Sequence, residues 1–406
     1  MNETKIQVYG YRWIGLLLFM FVNITLQMLW ISFAAVTSKA TTFYNVDELL
    51  ILLLSMSFMV VYIPITFLAS WLIDKHGFKI GAGVGALLAA IFGFLRFFAF
   101  TNYTLVLIFQ IGIAISQPFV LNSITKLSSN WFPESERTTA TGLSLISQFL
   151  GIALGMLITP ILVIGNDLGL MLLIYGIIAM ISGILFLVFA KDKPPTQPSK
   201  EVTSEKVFIS EGLKQLFTNK QFLILVIIFF IGLGTFNMIS SYIELIIIPK
   251  GYGSEEAGLL GGLMLFGGII GAIIMSALSD KFKKRKILIL ISVLIAAISL
   301  FVLAFTNDIT LLYLSSFLLG FGILSAGPVA LEYAVEKTRP VPESSSNGIL
   351  MMIGQVGGII FILGLVDFTF NGDYLPALLL LAGLTVGILI LGFFLKDTKP
   401  KNGLIV

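Results

Sequence analysis

Long apolar runs separated by short polar segments dominate the sequence. A bilayer core about 30 Å thick needs about 20 apolar residues in helical conformation. Only 12% of the 406 residues are charged, against about 25% in soluble globular chains. We therefore predict an all-α membrane protein and exclude a soluble enzyme, a nucleic-acid binder and a disordered scaffold. Twelve runs are long enough to span: 14–37, 49–73, 80–101, 103–125, 139–164, 168–190, 221–247, 257–278, 287–306, 310–332, 346–367 and 374–395.

The positions of the basic residues support this count and set the orientation. With both termini in the cytoplasm, the inside segments hold 22 of the 25 Lys and Arg residues. The outside loops then hold Lys39 and Lys250, and Arg96 lies within a span. Because cytoplasmic loops are enriched in Lys and Arg, this split requires an even number of spans. We expect a multi-pass protein of the cell membrane, with Arg96 reaching the outer interface or a nearby acid. An anion site at Arg96 is the less favoured alternative.

Short sequences recur in the two halves at offsets between 205 and 207 residues. Ala-Phe-Thr-Asn at 99–102 returns at 304–307, and Asp-Lys at 74–75 returns at 280–281. The repeat predicts two parallel six-helix bundles, 1–190 and 221–406. Transporters of this kind hold substrate near the midplane between their halves, which rock against each other. The cytoplasmic linker, 191–220, carries near its end either an amphipathic helix on the membrane surface or the solvated start of span 7.

The loops after spans 2 and 8 carry related charges. They read Ser-Trp-Leu-Ile-Asp-Lys-His-Gly-Phe-Lys at 70–79 and Ser-Ala-Leu-Ser-Asp-Lys-Phe-Lys-Lys-Arg at 276–285. Both resemble the G-x-x-x-D-R/K-x-G-R/K-R/K loop of the major facilitator superfamily, which implies its twelve-helix fold. An acid facing a helix N-terminus, together with flanking bases, would form a cytoplasmic latch. Ordinary topogenic charges are the alternative. The latch candidates are Asp74, Lys75, Lys79, Asp280, Lys281 and Arg285.

Further stretches are similar to the feline leukaemia virus subgroup C receptor family, a branch of that superfamily. They begin with Trp-Ile-Ser-Phe at 30–33 and Tyr-Ile-Pro at 62–64. Gln-Pro-Phe-Val-Leu at 117–121 follows, and the most distinctive stretch runs from 332 to 348. The family is known for choline and ethanolamine transport, and haem export has also been attributed to it. The resemblance implies a facilitative carrier of a small amine.

The same resemblance implies roles for individual residues. In the family, a Trp on span 1 and a Tyr on span 7 form an aromatic cage for choline, and glutamines on spans 4 and 11 complete the pocket. Trp30, Gln117 and Gln355 match the Trp and the two glutamines. Asn237 stands where the family has Tyr, and this departure weighs against choline itself.

The polar residues of the spans give an independent set of candidates. Such residues are costly in the bilayer and usually face a cavity or another helix. Trp30 and Asn237 are 207 residues apart, which gives them equivalent depths in the two halves. The indole of Trp30 would present a ring face to a cation, and helix packing is the alternative. The other candidates are Gln27, Gln117, Gln148, Ser325 and Gln355, with Tyr242, Phe33 and Phe236 as further rings.

The ionisable residues favour a uniporter without a cofactor. Cysteine is absent and His76 is the single histidine, so we expect no metal site, no cofactor and no enzyme. Glu244 is the best remaining candidate for cation attraction or proton coupling. We expect a monomer that takes a small-molecule substrate, is embedded in the lipid bilayer and has no nucleic-acid partner. The runner-up is a proton-coupled carrier or exporter of another organic solute, such as a drug, vitamin or haem.

Overall fold

The computed structural model describes residues 8–196, 209–341, 343–365, 368 and 373–396. Within these residues, twelve helical segments are long and apolar enough to cross a membrane, so the predicted number of spans is confirmed. Spans 1 to 6 are Tyr11–Tyr44, Glu48–His76, Phe78–Ala99, Tyr103–Trp131, Ser135–Leu162 and Gly169–Phe189. Spans 7 to 12 are Lys220–Lys250, Ser254–Phe282, Arg285–Phe305, Ile309–Thr338, Ser345–Gly364 and Leu375–Gly392.

The spans are built from α-helices, some of them broken, that we number in chain order. The helices of the first half are α1 (Tyr11–Ile31), α2 (Thr37–Tyr44), α3 (Glu48–His76), α4 (Phe78–Leu95), α5 (Tyr103–Leu121), α6 (Ile124–Trp131), α7 (Glu134–Leu162) and α8 (Gly169–Phe189). Those that follow are α9 (Ile209–Thr218), α10 (Lys220–Ile247), α11 (Ser254–Phe282), α12 (Arg285–Phe305), α13 (Ile309–Thr338), α14 (Glu343–Gly364) and α15 (Leu375–Gly392).

Span 1 is interrupted between α1 and α2. Helix α1 ends at Ile31, and a 3₁₀ turn at Ala34–Val36 leads into α2. The hydroxyl of Ser32 donates to the carbonyl of Leu29, 3.0 Å away, at the end of α1. Since the last carbonyls of a helix lack helical partners, side chains at such a break satisfy groups that would otherwise be unpaired in an apolar interior.

Span 4 is interrupted near Pro118, which cannot donate a backbone hydrogen bond. Helix α5 ends at Leu121, and α6 begins at Ile124. The side chain of Asn122, at the junction, donates to the hydroxyls of Thr66 and Ser70 on α3. This break is therefore fixed against the neighbouring span by side-chain hydrogen bonds.

The turns before spans 4 and 10 are short and are capped in the same way. The side chain of Asn102 accepts a hydrogen bond from the backbone N–H of Leu105 at 3.1 Å. Asp308 accepts one from the N–H of Leu311 at 3.0 Å. Each side chain satisfies a donor at the start of its helix, so the boundaries that are least distinct in the hydropathy pattern are defined by caps.

The chain folds into two compact units. Unit 1 comprises Met1–Thr203, Ser241–Leu245 and Tyr252–Gly258, and unit 2 comprises Ser204–Ser240, Ile246–Gly251 and Leu259–Val406. In unit 1, a Cβ at Gly151 would collide with the backbone of Ile24 on α1. In unit 2, a Cβ at Gly320 would collide with the backbone of Met264 on α11. Glycine thus permits close helix packing inside each unit.

The end of the linker is helical. Helix α9 covers Ile209–Thr218, with Leu216 buried and Lys214 and Phe217 exposed. Asn219 follows it and joins α10 to α13, because its Nδ2 donates to the carbonyl of Lys337 at 2.8 Å. Its Oδ1 accepts from the N–H of Gln221 at 2.9 Å. Residues 197–208 of the predicted linker lie outside the described residues, and placement of α9 on the membrane surface stays a prediction.

Candidate functional site

Trp30 lies in the last turn of α1, just before the break in span 1. Its side chain is buried, with 6% of its surface exposed. The indole Nε1 donates to the backbone carbonyl of Ser55 on α3 at 3.1 Å. This bond satisfies the one polar atom of the indole and fixes the ring against span 2. Trp30 is therefore a rigid aromatic group in the interior of unit 1, unlike a tryptophan anchored at a bilayer surface.

Gln27 lies one turn before Trp30 and is completely buried. Neither of its amide atoms has a hydrogen-bond partner among the described residues. The neighbouring Asn23 is different, because its Nδ2 donates to Ser144 O and Ser147 Oγ on α7, both at 3.0 Å. A buried amide with unmet donors and acceptors is energetically costly, which makes Gln27 a candidate to bind a ligand or an ordered water.

The other two glutamines of unit 1 lie on separate helices. Gln117 on α5 has 7% of its surface exposed, and Gln148 on α7 is half-buried. Unlike Asn122, neither side chain forms a hydrogen bond with any residue in the described ranges. Their amide groups are therefore available for a ligand, although the structure records no contact that joins them to Trp30.

Two predicted residues of unit 2 do come together. Asn237 on α10 is buried, with 3% of its surface exposed. Its Nδ2 donates to Oε1 of Gln355 on α14 in a long hydrogen bond of 3.5 Å. Ser325, also predicted from its position within a span, instead pairs with Ser292 Oγ at 2.9 Å and so joins α13 to α12. The amide pair is thus the stronger candidate for a ligand contact.

Glu244 and Tyr242 are both buried within unit 1. The Glu244 carboxylate accepts hydrogen bonds from the Ser38 N–H at 2.7 Å and the Ser38 hydroxyl at 2.8 Å. It accepts a third from the Ser254 hydroxyl at 2.6 Å. Three donors thus hold the charge at the ends of α2 and α11, an arrangement that stabilises a buried carboxylate. Neither serine was a predicted partner of Glu244: Ser38 is 206 residues away along the chain, and Ser254 lies beyond the end of span 7, ten residues away.

Arg96 does not occupy the place expected from the sequence. The expectation of an outer interface or a nearby acid is wrong, since the side chain is 0% exposed and its acceptors are neutral. Its Nη1 donates to Leu29 O at 3.2 Å, Ser32 Oγ at 3.1 Å and Gln110 Oε1 at 2.7 Å. The guanidinium therefore binds the end of α1 next to Trp30, a role that an arginine inside an apolar span could have signalled.

The N-terminus of α4, which follows the loop after span 2, is capped by an acid from outside that loop. Asp74 and Lys75 are exposed, and Lys75 Nζ lies 4.9 Å from the Trp71 ring centroid. At the N-terminus of α4, the backbone N–H of Lys79 donates to Oδ1 of Asp192 at 3.0 Å. Asp192 thus fills, within unit 1, the helix-capping role proposed for the loop acid, and a latch through Asp74 stays a prediction.

The charged residues of the loop after span 8 differ in exposure. Asp280 lies 3.7 Å from Lys283, and both side chains are exposed, as is Lys281. Arg285 is buried and forms ion pairs with Glu332 at 3.1 Å and Glu336 at 2.7 Å. Arg285 is therefore paired with α13 within unit 2, and Asp280 and Lys281 are the more accessible candidates for a latch.

In the described ranges, no group of three His, Cys, Asp or Glu residues could hold a metal ion.

Comparisons with known proteins agree with this architecture. The family model described as Major Facilitator Superfamily matches residues 13–362 and 251–404. Solute carrier family 49 member A3 of Xenopus tropicalis is 33% identical over 89% of this chain and 79% of its own. The choline/ethanolamine transporter flvcr2b of Danio rerio is 28% identical over 98% of this chain and 86% of its own. The crystal structure of a mutant of the nucleoside transporter NupG has 14% identity and a TM-score of 0.74, covering 94% of this chain and 99% of NupG.

Proposed function

The chain belongs to the Major Facilitator Superfamily of transporters, and we propose that it moves a small organic cation such as choline or ethanolamine. The mechanism we propose is facilitative uniport by alternating access, without enzymatic activity. Relatives named choline/ethanolamine transporters, similar over nearly the whole chain, support this substrate class. The proposed setting is the cell membrane, with both termini in the cytoplasm and a functional monomer.

The observation that carries the proposal is the environment of Trp30. A bond to the Ser55 carbonyl satisfies the indole N–H, so the remaining chemistry of the side chain is that of its ring faces. A desolvated cation over an indole face is stabilised by about 2 kcal/mol or more. Trp30 therefore offers attraction for a cationic head without a fixed negative charge, which suits a carrier that must release its substrate.

The amide groups add hydrogen-bonding capacity. We propose substrate contacts at Gln27, Gln117, Gln148, Asn237 and Gln355, with Tyr242 as a further ring. Since Asn237 donates through Nδ2, its Oδ1 can accept a hydrogen bond. A primary ammonium has N–H donors for such an acceptor, whereas a quaternary ammonium has none. This pairing supports ethanolamine over choline as the preferred substrate.

The buried carboxylate of Glu244 supports a second candidate, a proton-coupled carrier or exporter of another organic solute such as a drug, vitamin or haem. Intramembrane acids are the usual elements of proton relays. In this protein, however, three donors from Ser38 and Ser254 engage the carboxylate. That arrangement favours a structural charge, and uniport therefore remains the leading proposal. The exposed charges Asp74, Lys75, Asp280 and Lys281, together with the half-buried Lys79, are proposed to latch the cytoplasmic face.

Tracer flux in proteoliposomes tests both the substrate class and the coupling. We expect saturable uptake of labelled ethanolamine or choline that responds to membrane voltage, since the cargo is charged. At clamped voltage, an imposed proton gradient should leave the rate unchanged in the wild type and in Glu244→Gln. Concentrative uptake driven by the proton gradient and lost in Glu244→Gln would establish the second candidate instead. Absence of flux of either amine would refute the proposed substrate class.

A further inference from the structure

Arg96 is a buried cation whose partners in the described chain are all neutral. It begins the 3₁₀ turn Arg96–Ala99 at the end of α4 and is 0% exposed. Its Nη1 is fully used by the end of α1 and by Gln110. Its guanidinium carbon lies 5.2 Å from the Phe33 ring centroid, which adds a cation–π contact. These contacts hold the side chain in place without cancelling its charge.

The other edge of the guanidinium has unmet donors. Nε and Nη2 of Arg96 are buried, and neither has an acceptor among the residues described. Arg12 shows how this edge can be used, because its Nε donates to Glu136 Oε2 at 2.9 Å and its Nη2 to Oε1 at 3.2 Å. Such a pair of parallel donors is the geometry that recognises a carboxylate in two-point fashion. The corresponding edge of Arg96 is therefore shaped to bind an anion.

The charge balance of the interior leads to the same conclusion. Buried charges in proteins are normally paired, because an uncompensated ion loses its hydration without replacement. Buried Arg285 follows this rule with Glu332 and Glu336. For Arg96, no carboxylate in the described part of the chain lies within ion-pair distance. Arginine keeps its proton at physiological pH, so deprotonation does not remove the problem.

A second buried donor belongs to the same aromatic cluster. The Tyr44 ring packs edge-on against Phe33, with 6.2 Å between the ring centroids. Its hydroxyl is buried and has no partner in the residues that the structure describes. Arg96 and Tyr44 therefore contact one phenylalanine, and both carry polar hydrogens without acceptors. Two such groups in one cluster point to a ligand that accepts hydrogen bonds.

We propose that the Nε and Nη2 edge of Arg96 binds a small anion, a halide or a carboxylate group, with the Tyr44 hydroxyl as an additional donor. The anion supplies the negative charge that the surrounding helices lack. The anion also neutralises the Arg96 guanidinium, which donates to the carbonyl of Leu29, the residue before Trp30. If the proposed function holds, binding of a cationic substrate near Trp30 consequently depends on this anion.

The direct test uses the full-length protein purified in sodium gluconate, whose anion is too large for an enclosed site. Thermal unfolding is followed while chloride, bromide or formate replaces gluconate at constant ionic strength. We expect a saturable rise of several degrees in Tm, as for any ligand that binds the folded state alone. A stronger response to halides identifies a spherical-ion site, and a stronger response to formate identifies a carboxylate site.

Two substitutions that each remove one tyrosine hydroxyl test whether the anion binds beside Tyr44. Tyr44→Phe should weaken the apparent anion affinity about threefold to tenfold, whereas Tyr103→Phe should not change it. The Tyr103 hydroxyl already donates to the carbonyl of Leu50 at 2.7 Å, and its ring lies near Tyr44. Arg96→Gln should abolish the anion response. If that variant does not fold, anomalous diffraction from wild-type crystals grown in bromide gives the position independently.

A bromide peak beside Nε and Nη2 of Arg96, together with saturable stabilisation, supports the anion site. A wild-type Tm that is the same in gluconate, chloride and formate, with no peak at that edge, overturns it and leaves water as the partner. Amine affinity measured in chloride and in gluconate is a separate readout. An anion site in a protein that binds no amine would refute the proposed substrate class and leave this inference standing.

Discussion

Trp30 and Asn237 occupy equivalent positions in the two sequence repeats, and their surroundings differ in kind. The indole N–H of Trp30 donates to a backbone carbonyl of α3, which leaves the two apolar ring faces of the side chain. Asn237 forms an amide pair with Gln355 and retains hydrogen-bonding capacity. The two positions of the predicted repeat therefore differ in chemistry: one carries aromatic ring faces and the other carries hydrogen-bonding groups.

Removal of the Trp30 indole should have the largest effect. We expect Trp30→Ala to weaken amine binding about thirtyfold, because loss of a ring-face interaction of about 2 kcal/mol corresponds to that ratio. Calorimetric titration of the purified variant with ethanolamine and choline measures it. Trp30→Phe keeps a smaller ring and should retain most of the affinity. Trp13→Ala removes a half-exposed indole and is the matched control; equal affinity in wild type and Trp30→Ala would refute the cation–π role.

Replacement of either glutamine that the family resemblance implies should have an intermediate effect on amine affinity. Gln355→Leu removes the acceptor of Asn237, so it should lower both Tm and amine affinity. Gln117→Leu breaks no hydrogen bond with the described residues, so it should lower affinity by severalfold with little change in Tm. Thermal unfolding and amine-binding curves measured on both variants distinguish the two outcomes. Unchanged affinity in Gln117→Leu would show that its amide does not contact the amine.

The smallest expected effect is a change in selectivity. Asn237→Tyr replaces the amide by a ring and should raise choline affinity about fivefold, since one added ring face contributes about 1 kcal/mol at a partly exposed site. Ethanolamine, which can donate to the lost amide oxygen, should gain less. Competition between choline and ethanolamine in one binding assay gives the ratio of their affinities directly. A ratio that does not change would mean that residue 237 does not contact the ammonium group.

The span architecture could be predicted from sequence because each span carries its own hydrophobic signal. The separators at Thr101-Asn102 and Thr306 to Asp308 are short and carry little charge, so they are weak boundaries in the hydropathy pattern. They are real boundaries, because Asn102 and Asp308 cap the helices that follow. The breaks within spans 1 and 4 were not predicted, since hydropathy measures side-chain polarity and contains no information about which backbone groups are bonded.

The candidate site was less accessible to sequence reasoning, since its contacts are long-range. Arg96 bonds to Leu29 and Ser32 on another span, and its depth cannot be deduced from its distance to the span end. Asp192 was not among the predicted loop acids, although it accepts a hydrogen bond at the N-terminus of α4. Family resemblance supplied Trp30, Gln117 and Gln355, and the distance between Asn237 and Gln355 required coordinates.

The matched caps at Asn102 and Asp308 also bear on how the protein is made. Each lies in a tight turn between two apolar helices, α4 with α5 and α12 with α13. A capped turn satisfies its own backbone donors, so the two helices of each pair can enter the lipid together as a hairpin during synthesis. We therefore expect two equivalent insertion steps during biogenesis, one in each half of the chain.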